Sequence, residues 1–121
     1  MKTSELTKHA LDWAVAKCIG HRVAENYGAY LRIHLPDPKQ SGYTVAFCPS
    51  TDWAHGGPIV EREGICLWCG DGAWEATIHG EDEPVTQRGN TPLIAAMRCY
   101  VASKLGHEVD IPSELIQGES K

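Results

Sequence analysis

Apolar positions near the start of the chain recur with the period of a helix. Leu11, Ala14, Val15 and Cys18 share one face, while Lys8 and Asp12, four apart, form a charged pair on another. The spacing predicts a helix over residues 6–19, with Ser4 or Thr7 as N-cap, Lys17 at the negative end of the dipole and Gly20 closing it in a left-handed conformation. The texture then becomes β-branched and aromatic. Tyr30, Leu31 and Ile33, after Gly28, read as a strand, and residues 36–42 (Pro-Asp-Pro-Lys-Gln-Ser-Gly) are turn chemistry. A second strand follows over residues 43–48, where Tyr43, Val45 and Phe47 alternate with Thr44 and Ala46 before Pro49 stops the ladder.

Beyond an irregular middle, residues 65–68 and 74–79 predict a hairpin around Gly70, Asp71 and Gly72, with Trp74, Ala76 and Ile78 on its buried face. Residues 80–90, with three acids, Pro84 and Gly89, predict an exposed loop. The last helix is the plainest element: Thr91 caps it, Pro92 occupies the first position, and Gly106 ends it. Its stripe is Leu93, Ile94, Met97, Val101 and Leu105, with Ala95, Ala96 and Ala102 keeping it slim. This order predicts an α+β fold, an antiparallel sheet of about four strands with an N-terminal and a C-terminal helix covering one side. Residues 1–110 are expected to form one domain and residues 111–121 a polar tail.

Composition narrows the function classes. A chain of 121 residues can bury a core without metal or disulfide staples. Eleven basic against sixteen acidic residues give a net charge of -5, which sets nucleic acid aside, because phosphate-backbone affinity comes from clustered Lys and Arg. No apolar run is long enough for a bilayer, and residues 1–8 lack the apolar region of a signal peptide, so a cytosolic protein is expected. Five cysteines, with Cys18 and Cys99 inside predicted helices, suit buried thiols better than a disulfide framework.

Candidate chemistry concentrates in residues 49–63, Pro-Ser-Thr-Asp-Trp-Ala-His-Gly-Gly-Pro-Ile-Val-Glu-Arg-Glu. On one reading Ser50, Thr51, Asp52, Trp53, His55, Gly56, Gly57, Glu61 and Arg62, joined by Arg98 of the last helix, make a ligand site. The carboxylates and imidazole can move protons, Arg62 can grip an anion, Trp53 can stack, and the glycines admit a ligand close to the backbone. On the other, Ser50 or Thr51 caps a helical turn, Trp53 fills the core, and the glycines with Pro58 make a bend. Asp52, Glu61 and Glu63 are also candidate Mg²⁺ ligands for a metal-dependent hydrolase, although the lysine of an ExK nuclease core is missing and GxSxG, GxxxxGK and HExxH patterns do not occur. Cys66 and Cys69 have the spacing of two zinc thiolates, with Cys48 and His55 able to complete a set, or they are ordinary strand residues in a protein without a cofactor. Of four tryptophans, Trp13 and Trp74 are expected in the core. Any two of the four lining one face of the sheet beside Arg62 or Arg98 would form an aromatic and cationic pocket for a base, a nucleotide or a partner side chain.

Three stretches resemble one family: Leu11-Asp12-Trp13-Ala14-Val15-Ala16-Lys17, the run from Ser50 through Glu63, and the run from Thr91 through Lys104. Together they are similar to the bacteriophage NinX family over nearly the whole chain. The resemblance implies an accessory protein of lambdoid phages and prophages of enteric bacteria, acting in the host cytoplasm, and it implies no reaction. The family pattern has glutamine where this chain has His55, and the Cys66 and Cys69 pair stands outside it, so zinc gains nothing from it. The phage setting leads to the expectation of a non-enzymatic module that binds a host protein or a small anionic, nucleotide-like ligand, in a counter-defence role. Self-association into a homo-oligomer is the remaining expectation.

Overall fold

The computed structural model describes residues 1–24, 29–35, 39, 43–80, 82–113 and 115. A 3-10 turn at Thr3–Glu5 leads into helix α1 (Lys8–Ile19), followed by strands β1 (Arg32–His34) and β2 (Thr44–Ala46) and helix α2 (Trp53–Glu63). Strands β3 (Cys66–Gly70), β4 (Ala73–Ile78) and β5 (Val85–Gly89) and helix α3 (Pro92–Leu105) complete the order. The fold is α+β with antiparallel pairing throughout, as expected, but the five strands fall into two sheets, β1-β2 and β3-β4-β5. The predicted turn at residues 36–42 lies outside the described residues apart from Lys39.

Helix ends follow local chemistry. Thr7 is the N-cap of α1, and Gly20 ends the helix at φ 95°, its N–H donating to the Ala16 and Lys17 carbonyls. The Thr91 hydroxyl accepts from Ile94 N at 3.1 Å, and Pro92 opens α3 where its missing N–H costs nothing. Asp12, predicted on a charged outer face of α1, is instead buried, and its Oδ1 accepts the Ser50 N–H at 2.9 Å. A carboxylate can be held inside when it satisfies a main-chain donor, and here it pins the chain just ahead of α2 to α1.

Cross-strand register assembles one inner face on the three-stranded sheet. Leu67 faces Ala76, Ala76 faces Gln87, Trp74 faces Gly89 and Ile78 faces Val85. Residues 80–90, expected as a loop, therefore contain β5. Gln87 and Gly89 occupy inward positions where an apolar residue would have signalled a strand. Gly89 has a steric reason: a Cβ there would stand 2.6 Å from Ala95 N and 2.8 Å from Ile94 Cγ2. The strand end and α3 touch through bare backbone.

The packing of α3 also departs from expectation. Besides Leu93, Met97 and Val101, its Ala95, Ala96, Cys99, Tyr100 and Ala102 are buried, so apolar surface runs round the helix and not along one stripe. It lies on the inner sheet face with α1 and α2 against its other sides. The two terminal helices are therefore stacked, with α3 innermost. Chain beyond the expected boundary at residue 110 is still packed: Ile111 lies against the core and Leu115 is buried, while residues 116–121 lie outside the described residues. Among the described residues no helix is long and apolar enough to cross a membrane.

Candidate functional site

Residues 49–63 build a helix where a bend was one expectation. Asp52, and not Ser50 or Thr51, is the N-cap of α2: its Oδ1 accepts from Ala54 N at 2.9 Å. The helix runs through Gly56, Gly57 and Pro58 to Gly64, whose φ of 64° ends it. Gly56 is required by packing, since a Cβ would stand 2.4 Å from the Pro49 carbonyl oxygen and 2.6 Å from Leu93 Cδ2. That close approach seats α2 on the start of α3.

The polar groups of this stretch are largely occupied by the stretch itself. His55 Nδ1 accepts the Cys48 N–H at 2.9 Å, and its ring stacks on Phe47 at 5.8 Å between centroids. At the far end Arg62 Nε bonds Glu63 at 2.9 Å and its Nη2 reaches Tyr100 Oη at 3.4 Å, while Lys104 stands 3.6 Å from Glu63. Nine residues of helix separate Asp52 from Glu61, about 14 Å along the axis, and Glu61 and Glu63 point to different sides. The proposed carboxylate cluster does not converge, and among the described residues no group of three or more His, Cys, Asp or Glu is placed to hold a metal.

The cysteine pair fails as a chelate for a related reason. Cys66 and Cys69 are both exposed on β3, and an odd separation along a strand sends them to opposite faces. The helix cysteines behave as expected: burial pushes the Cys18 and Cys99 thiols up to about 11.

What remains of the predicted site divides between two hollows. One, of about 260 Å³, lies between the starts of α2 and α3 and is lined by Ser50, Thr51, Trp53, Thr91, Pro92, Leu93 and Ile94. Trp53 is 50% exposed there and does not fill the core as the second reading had it, and the Ser50 hydroxyl is buried with no partner among the described residues. Gly57 does not line it; a Cβ added there would stand 3.7 Å from the Trp53 ring.

The other hollow, of about 350 Å³, gathers Ser4, Ala73, Thr86, Gln87, Arg88, Gly89, Asn90 and Arg98. Arg98 Nε donates to the Leu6 carbonyl and Nη1 to the Arg88 carbonyl, both at 2.8 Å, which fixes the guanidinium in place. Its acceptors are neutral. Among the described residues no ion pair joins Arg98 to a carboxylate, burial lowers the Arg98 value below that of an ordinary arginine, and Arg88 stands opposite Glu75 across the β4-β5 ladder. Two cations from different elements thus border this hollow of an acidic protein. Arg88, Asn90 and Ser4 were not among the predicted residues. The one available signal was the alternation of Thr86 and Arg88 with Gln87 and Gly89, which marks a strand only once polar residues are allowed inward.

Comparison with known proteins agrees with the resemblance carried by the three stretches. No match was found among curated proteins. The family model described as "Bacteriophage P22, NinX" matches residues 2–104, and the chain belongs to that phage family.

Proposed function

We propose that this phage accessory protein acts by binding, without catalysis, and that it takes a small anionic ligand at the hollow bordered by Arg88 and Arg98 as its means of engaging the host. The observation that carries this reading is the half-buried Arg98, oriented by two carbonyls and left without a counter-charge. A guanidinium so held keeps donors for an oxyanion in a fixed plane, and partial burial makes each charge-assisted bond stronger than in water. Ser4, Thr86 and Asn90 add neutral donors around it. The separation of Asp52 from Glu61 and Glu63 counts against the hydrolase alternative, and the split of Cys66 from Cys69 counts against zinc.

Calorimetric titration with inorganic phosphate and a panel of phosphate-bearing small molecules at low salt tests this. Binding is expected to weaken about tenfold or more in Arg98→Lys, which keeps the charge and loses the planar fork, and to disappear in Arg98→Met. Circular dichroism establishes that each variant is folded. Absence of binding to every anion by the folded wild-type protein would remove the proposal, and capture of a host protein from lysate that persists in Arg98→Met would move the function to another surface.

A further inference from the structure

The two hollows are neighbours on one face of α3. Thr91, Ile94 and Arg98 fall at helical positions i, i+3 and i+7, so they share a side of the helix. Thr91 and Ile94 line the hollow beside Trp53, and Arg98 lines the anion hollow. Asn90 and Thr91, adjacent in the chain, line one hollow each. From Ile94 to Arg98 the axial distance is about 6 Å and from Thr91 to Arg98 about 10 Å, the scale that separates the base of a nucleotide from its phosphates.

The chemistry of the two hollows differs in the same sense as the two ends of such a molecule. The first has an indole ring exposed over half its surface, apolar walls from Pro92, Leu93 and Ile94, and the hydroxyls of Thr51 and Thr91. Within that apolar lining Ser50 contributes a buried hydroxyl that lacks a partner among the described residues, a donor and acceptor suited to a base edge. The second has the Arg98 guanidinium, held by two carbonyls and joined in no ion pair among the described residues, with Arg88 at its border. Flat aromatic ligands stack on tryptophan whatever their sequence or substituents, whereas the anion needs the arginine fork.

We infer that the ligand is a mononucleotide, with its phosphate on Arg98 and its base against Trp53. This rests on the anion site proposed above and names the class of molecule it takes. Trp53 becomes a specificity residue, adding affinity for the base to affinity for phosphate. The acidic net charge of the chain favours a single nucleotide over a polymer, whose further phosphates would meet carboxylates.

The test uses four probes on the full chain: inorganic phosphate, ribose 5-phosphate, a purine nucleoside and the corresponding nucleoside monophosphate. The monophosphate is expected to bind at least about tenfold more tightly than ribose 5-phosphate, and to quench tryptophan fluorescence. Trp53→Ala should abolish that advantage while leaving phosphate affinity intact, and Trp53→Phe should restore part of it. Equal affinities for monophosphate and ribose 5-phosphate, or an advantage that survives Trp53→Ala, would overturn the inference and leave the anion site standing. If neither phosphate nor monophosphate binds, both fall together.

Discussion

The start of α2 and the surroundings of Arg98 are both rich in polar side chains, yet they treat them in opposite ways. Around α2, Asp52 caps the helix, His55 takes the Cys48 N–H, and Asp12 takes the Ser50 N–H, so each of these three acceptors is spent on a main-chain donor of the fold. Arg98 also has main-chain partners, but carbonyls satisfy its N–H groups without neutralising its charge. Hydrogen-bond satisfaction and charge compensation are separate conditions. Acceptors spent on donors of the fold itself are architecture, whereas a fixed guanidinium with N–H groups to spare is open to a ligand.

The contrast can be attacked at its structural side first. Gly56→Ala should lower stability by about 2 kcal/mol or more, because the new methyl meets backbone at Pro49 and the Leu93 side chain. Gly57→Ala, one residue on, where an added Cβ would meet Trp53 only at 3.7 Å but precede Pro58 within the helix, should cost distinctly less than Gly56→Ala, and urea unfolding of the pair reads out the difference. Next in size is Asp12→Ala, which strands a buried Ser50 N–H and should cost about 1–3 kcal/mol in the same assay. Arg98→Met should change stability by less than about 1 kcal/mol, since two bonds are lost while a half-buried uncompensated charge is removed. A large loss there would make Arg98 architecture too, and the contrast would collapse.

The mildest effect concerns His21, whose ring edge meets Phe47 at 5.1 Å and whose burial lowers its pKa below 6.5. The folded chain then binds fewer protons at this site than the unfolded chain in the window below pH 6.5. Its contribution is complete above pH 6.5 and declines as the pH falls through the folded value. His21→Gln should flatten that part of the stability profile. An unaltered slope would show that burial of the ring carries no proton linkage.

Elements with their own local grammar were readable in advance. The Thr91, Pro92 and Gly106 punctuation located α3, and Gly70, Asp71 and Gly72 located the β3-β4 hairpin. Strand β5 was not readable, because Gln87 and Gly89 face inward and the residue type at each was set by contact with α3, a tertiary condition no window of sequence contains. The depth of Asp12 was hidden for the same reason: the donor it serves lies 38 residues away. Of the candidate site, the stretch around Trp53 was found by its density of functional groups, and Glu61 and Arg62 were grouped with it by proximity in the chain, which an eleven-residue helix then pulled apart. Arg98 was legible as a lone cation in an apolar segment. Arg88 became its companion only through the pairing of β5.

Since α3 is the body on which the sheet, α1 and α2 all rest, and it follows every one of them in the chain, the earlier elements leave the ribosome with nothing to close upon. The β3 and β5 edges and the apolar side of α1 wait in the open until residues 92–105 emerge. Assembly during translation should therefore come as one late collapse, and a nascent chain stalled before residue 92 should be protease-sensitive throughout and prone to chaperone capture.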